Sequence, residues 1–422
     1  MAATELENSP LPVNPPPARP RQVDGYSVLQ FLLSLLTVLA SGGLALVFII
    51  MGLREGLPAG LITLTIAAAS GWLGFLLLPS MVFSFLRLIG SPVQADFLSQ
   101  RGLRLAGLAV FLFPVALYLG NWALNQDSNA SLAFPIFHVI ATSLPVAWVI
   151  YLAVRGLPVG SPQRAWGVFG SGLIVGPAIA LTIESIVMIA ALIITAIVIF
   201  SQPGLADELT ALVQMFESAP QTPPDQQAIL EILGPFLSQP IVIVGVLVFA
   251  SLIVPLIEEA VKPIGVWLLA GRRITPAAGF AAGALSGAGF ALFENLLLAS
   301  GTDGWATIQV ARLGTSTVHI LATGLVGFAL ASAWQKHHYG QLLGIYLGAV
   351  LLHGTWNAFS MLMTFGEIQR SLATPSNETT WLISLAEWAP YGMGGLALAS
   401  LVTLIWFNVR LRRGKDMILP QA

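Results

Sequence analysis

Ten stretches of this chain are each long and apolar enough to cross a lipid bilayer, at roughly 27–51, 59–85, 104–124, 132–154, 167–200, 241–270, 276–299, 311–334, 341–364 and 384–408. A helical span needs about 20 apolar residues. Lipid offers no hydrogen bonds, so each backbone N–H and C=O must be paired within the chain, and each run is expected to be a helix. Composition agrees: 56% of residues are apolar, 9% are charged and the mean hydropathy is +0.83, values of the membrane class. The expected fold is all-α, a polytopic membrane helix bundle of about ten transmembrane helices, placed as a multi-pass protein of the cell membrane. The runs at 59–85, 167–200 and 241–270 exceed one crossing, which predicts tilt, kinks or interfacial extensions there.

Lysine and arginine set the orientation. With both termini cytoplasmic, the inside loops and tails hold Arg19, Arg21, Arg87, Arg101, Arg104, Arg155, Arg164, Arg272, Arg273, Lys336, Arg410, Arg412, Arg413 and Lys415. The outside loops hold only Arg54, Arg312 and Arg370, and Lys262 lies inside a span, which accounts for all 18 basic residues. One crossing more or fewer would invert every later loop, so the same distribution supports ten helices. Along the sequence the basic residues form no cluster that would track a phosphate backbone, and no nucleic-acid partner is expected. The absence of cysteine excludes disulfides, thiolate metal ligands and a cysteine nucleophile. No cleavable signal peptide is expected, because the first 25 residues are polar and rich in proline.

The chain divides by composition. Residues 1–25 are expected to be a disordered Pro-rich tail, followed by a five-helix membrane region over 26–201. Segment 202–239 carries Leu205, Leu209, Leu212, Val213 and Phe216, then Ile229, Leu230, Leu233, Phe236 and Leu237, at helical spacing around a turn at Pro223 and Pro224. It reads as an extracytoplasmic amphipathic helical hairpin. A four-helix core spans 240–366, an outer loop and the last crossing 367–409, and a basic cytoplasmic tail 410–422.

The core departs from what lipid requires. Its four spans carry Glu258, Glu259 and Lys262, then Phe290, Glu294 and Asn295, then His319, then His353 and Asn357. An ionisable residue at bilayer depth costs about 2.5–3.5 kcal/mol on insertion scales, and so reads by default as part of a functional site. Glu258 and Lys262 are four apart in the order that favours a helical ion pair, whose bland role would be to hold helices together. Glu259 is about 100° further round the helix and has no local partner. Pro255 and Pro263 each remove a helical hydrogen bond, and a distorted helix survives in a membrane only inside protein or beside a water-filled cavity. His353 and Asn357 share a face, where an imidazole could hold a proton or a metal and an amide could donate to an oxyanion. Single histidines in spans are as often interhelical hydrogen-bonders, but four successive spans with acids or histidines exceed that role. Glu184, alone in the fifth run, is left outside the site, as are His138, His337 and His338. The triplets Gly279, Gly283, Gly287 and Gly340, Gly344, Gly348 predict close helix packing on both helices that bear them.

These motifs resemble the PrsW family of intramembrane proteases, in which E-E-x-x-K, F-x-x-x-E, a single histidine and H-x-x-x-N follow in order on consecutive helices. Here they are Glu258-Glu259-x-x-Lys262, Phe290-x-x-x-Glu294, His319 and His353-x-x-x-Asn357, within about 240–365. That family is itself similar to the CAAX prenyl endopeptidases and the CPBP (abortive-infection) membrane proteases, where a histidine stands at the equivalent of Glu294. The resemblance implies hydrolysis of a peptide bond in a membrane-protein substrate, such as an anti-sigma factor, within the lipid bilayer. It leaves two mechanisms open. In one, Glu294, His319 and His353 bind a divalent metal, zinc foremost, and Glu258 or Glu259 is general base. In the other no metal is used, a glutamate activates water directly, and His353 and Asn357 hold the oxyanion. The rival readings are an ion- or proton-coupled transporter using the same buried residues, and a binding protein that keeps the site without catalysis.

Overall fold

The computed structural model describes residues 25–91, 100–126, 129–200, 210, 214, 240–298, 304–371 and 380–415. The expected 1–25 tail, save for Gly25, and the 202–239 hairpin, save for Thr210 and Gln214, lie outside the described residues. Among the described residues ten helices are long and apolar enough to span a membrane: α1 Gly25–Glu55, α2 Leu61–Leu88, α3 Arg104–Leu124, α4 Asn129–Val154, α5 Pro162–Ile194, α6 Ile241–Trp267, α7 Pro276–Leu297, α8 Trp305–Lys336, α9 Tyr339–Arg370 and α10 Trp381–Gly414. Among the described residues there is no strand. The protein is a multi-pass membrane protein of the all-α class expected from its apolar runs. α8 begins at Trp305 rather than near residue 311, so Arg312 stands on the helix, two turns inside it.

Helices α7 and α8 form the centre, with 83% and 89% of their apolar windows buried against 11% for α1, α5 and α6. They pack along their length, and α4, α5, α9 and α10 close around them. The contact is made by small residues. A Cβ on Gly283 would run into the Thr323 backbone carbonyl, and one on Gly279 into that of Gly327. In lipid no hydrophobic drive separates helix from solvent, so such backbone approach is what holds two helices together. The second triplet behaves differently: a Cβ on Gly340, Gly344 or Gly348 would meet nothing within 4 Å. α9 turns its other face inward, through Ala349, Val350, His353 and Trp356. The expectation of two glycine-packed core helices therefore holds for α7 and fails for α9, because spacing reports small residues without reporting which face meets a neighbour.

The long runs are distorted where expected. α5 passes through a π turn at Ser171–Val175, and α6 through another at Phe249–Ile253 before it breaks at Lys262 and Pro263. A polar cluster absent from any sequence motif ties α1, α2 and α5. Gln30 donates to Ser80 Oγ (3.0 Å) and the Gln163 carbonyl (3.0 Å), while Gln163 donates to Ser27 Oγ (2.8 Å). Asn408 of α10 caps the end of α4, donating to the carbonyls of Ala153 (2.8 Å) and Arg155 (3.1 Å).

Candidate active site

The site begins with what two prolines take away from α6. Pro255 has no N–H to give, and just before it the helix widens into its π turn, with the Val254 N–H reaching back to Phe249. That leaves the Ala250 and Ser251 carbonyls without their usual donors. α9 answers both. Asn357 Nδ2 donates to the Ala250 carbonyl (2.9 Å), and Gly354 brings the α9 backbone against the Ser251 carbonyl, where any Cβ would collide. One turn before Asn357, His353 is thereby held against the acidic turn of α6.

The second proline ends the helix. Lys262 closes its last turn with an N–H to the Glu258 carbonyl (2.6 Å), and its own carbonyl, free because Pro263 breaks the ladder, accepts from Ser286 Oγ of α7 (2.6 Å). The main chain is pinned to α7 while the side chain turns into the bundle. There Lys262 Nζ lies 2.6 Å from Glu259 Oε1, 2.8 Å from Glu258 Oε2, 2.7 Å from His319 Nδ1 and 3.2 Å from His353 Nδ1. Phe290 presents its ring face 4.9 Å from the same nitrogen. One ammonium thus gathers residues from four successive helices, α6 to α9.

The imidazoles complete the arrangement. His319 Nε2 is 2.9 Å from Glu294 Oε2, whose other oxygen takes Arg312 Nη1 at 2.8 Å. A carboxylate can only accept, so Nε2 carries the proton in this assignment and Nδ1 is left with its lone pair toward the centre. His353 Nδ1 lies 3.1 Å from Glu259 Oε1 and its Nε2 3.8 Å from Glu258 Oε2. The two rings meet edge to face at 4.8 Å. Glu259, Lys262 and His319 are fully buried, whereas the side chains of Glu258, Glu294 and Arg312 keep 12%, 24% and 20% exposure, so the cluster opens along the acids of α6 and α7. Asn295, expected as a supporting residue, faces α8 and donates to Ser316 Oγ (2.8 Å).

The cluster holds a donor set for a divalent ion. Glu258, His319 and His353 each offer one ligand atom, all within 4.8 Å of one another. Two imidazoles and a carboxylate are a set that zinc accepts with a position left open, and His319 has the carboxylate behind it that metal-bound imidazoles usually have. The buried Glu259 Oε2 has no hydrogen-bond partner, an orphan that bound water could satisfy. These residues fit a metal. Glu294, expected as a ligand, reaches the centre through His319, and Glu258 is the carboxylate that stands with the two imidazoles. Asn357, expected at the oxyanion, spends its amide on Ala250.

Sequence reasoning left three neighbours out. Arg312 counts with the outside loops by sequence, Ser286 carries no motif, and Glu184 of α5 shares the electrostatic field of Glu258, Lys262 and Glu294, with its buried Oε1 lacking a hydrogen-bond partner. His138 does lie apart: its Nε2 meets the Leu296 carbonyl at 3.2 Å and its Nδ1 accepts from Trp305 Nε1 at 3.1 Å. His337 ends α8 in the left-handed conformation.

A helical membrane bundle with glutamates, imidazoles and an ammonium at one partly open internal point has the groups that hydrolysis inside a membrane requires. The profile of the PrsW family intramembrane metalloproteases matches residues 160–376, from α5 to the end of α9 and including every residue of the cluster. The chain belongs to that family. No curated protein and no solved structure matches it.

Proposed function

We propose that this protein hydrolyses a peptide bond in a membrane-protein substrate, one resembling an anti-sigma factor, at the cluster of Glu258, Glu259, His319 and His353. The observation that carries this reading is the convergence of Glu258, His319 and His353 within 4.8 Å in the middle of a membrane bundle. A divalent metal, zinc foremost, held by these three would make bound water acidic enough to attack near neutral pH and would polarise the scissile carbonyl. Glu259 is the general base in this reading. Its Oε1 is held by Lys262 while Oε2 is free to take the proton from the attacking water. The same carboxyl then returns that proton to the departing amine as the C–N bond breaks, so the step balances without another reactant. Glu294 and Arg312 orient His319. Asn357 and Gly354 hold the π turn, and so the acids, against α9.

One observation favours a second reading without a metal. Lys262 Nζ is a resident cation within 3.2 Å of Glu258 and Glu259 on α6, His319 on α8 and His353 on α9. Binding an ion requires Lys262 to release His319 and His353 and remain on Glu259. If it does not, Lys262 supplies the positive charge for the oxyanion and Glu258, the more exposed acid, activates water. Elemental analysis of the purified protein decides between them. About one equivalent of zinc, lost in the H319A/H353A double variant, is expected. A metal-free preparation that still cleaves assigns the chemistry to the glutamates alone.

A further inference from the structure

A cavity of about 720 Å³ opens at the end of the bundle where α5, α7 and α9 begin and α8 and α10 finish, about 18–25 Å along the helices from His319 and His353 at 1.5 Å per residue. Four basic side chains from four separate places in the chain line it: Arg164, Arg273, Lys336 and Arg410. No carboxylate among the described residues does. Scattered basic residues are expected at one end of any membrane protein, but these converge on a single concavity. Its rim is tied, since Gln335 of α8 donates to the carbonyl of Ile274 in the loop before α7. The first turn of α7, capped by Thr275 Oγ1 accepting from the Ala278 N–H at 3.2 Å, also lines the cavity and adds the partial positive charge of a helix start. The remaining wall is apolar, formed by Phe328, Phe407 and Leu411.

We propose that this cavity binds the phosphate of an anionic phospholipid, with the basic side chains around the headgroup and the apolar wall beside an acyl chain. Cationic recesses between spanning helices suit such headgroups. The chemistry shared with free phosphate is the anion, and the apolar wall is what selects the lipid. The test is thermal unfolding of the purified full chain in detergent, titrated with phosphatidylglycerol, phosphatidylcholine or inorganic phosphate. Phosphatidylglycerol is expected to raise the unfolding temperature with dose, the other two to leave it unchanged. Each neutralised side chain is expected to weaken the response roughly fivefold, so that R273Q/K336Q needs roughly 25-fold more lipid, whereas K336R responds like the native chain. If the double variant does not fold, R164Q and R410Q are each expected to need roughly fivefold more lipid. An equal response to phosphatidylcholine, or an undiminished response of the neutralised variants, overturns the proposal. A full response to inorganic phosphate alone overturns its assignment to a lipid.

Discussion

Lys262 is the residue on which the buried charge balances. With carboxylates ionised and imidazoles neutral, Glu258, Glu259 and Glu294 oppose Lys262 and Arg312, a formal excess of one negative charge around the two rings. An isolated buried charge is costly, and a pair repays that cost only with close geometry and further hydrogen bonds. Glu294 shows the difference between touching the centre and supporting it: it meets His319 on the side away from Lys262 and is itself held by Arg312. E294Q is therefore expected to lower metal affinity and cleavage by about 10–100-fold, the usual effect of losing a carboxylate behind a ligand histidine, with an unfolding temperature close to native. E258Q is expected to remove both. Equal losses in the two variants, read by zinc titration beside cleavage rate, would refute this division of roles. The residue types of the site were legible because acids and histidines in apolar spans are conspicuous. Their ranking was not, since Glu258 and Glu294 are both carboxylates in apolar spans, and only the distances tell which one lies within 4.8 Å of both imidazoles.

At the scale of elements, proline and glycine decide how α6, α7, α8 and α9 meet. Pro255 and Pro263 signalled the distortion of α6 in the sequence, but the π turn and its repair by Asn357 depend on where α9 lies. The two glycine triplets carry the clearest contrast. G283L is expected to push α7 off the Thr323 carbonyl of α8 and to lose folded protein, since overpacking a tight contact costs about 1–3 kcal/mol or more. G344L, with open space around it, is expected to leave yield and unfolding temperature unchanged. Comparable losses in both, measured by size-exclusion profile and thermal unfolding, would contradict the packing described. Identical spacing in the two helices hid this difference, because a repeat of four places residues on a face without naming the neighbour.

For the whole molecule, apolar length alone foretold ten helices and the all-α class, because lipid leaves a crossing segment few other structures. Orientation rests on the arginines and lysines. Without native cysteine the chain suits single-cysteine labelling: S371C at the end of α9 is expected to react with a membrane-impermeant maleimide in intact cells, and G414C at the end of α10 only after permeabilisation. The reverse pattern would invert the topology. The convergence of four successive helices on one point is what makes this bundle read as a protease, and it is tested most directly in membranes. Profiling of new N-termini among membrane proteins, from cells producing the native chain or E258Q at equal levels, is the decisive measurement. Cleavage within or beside a membrane-spanning segment, present with the native chain and reduced at least about 100-fold in E258Q, is the expected result. The same new N-termini at equal abundance in both would contradict it.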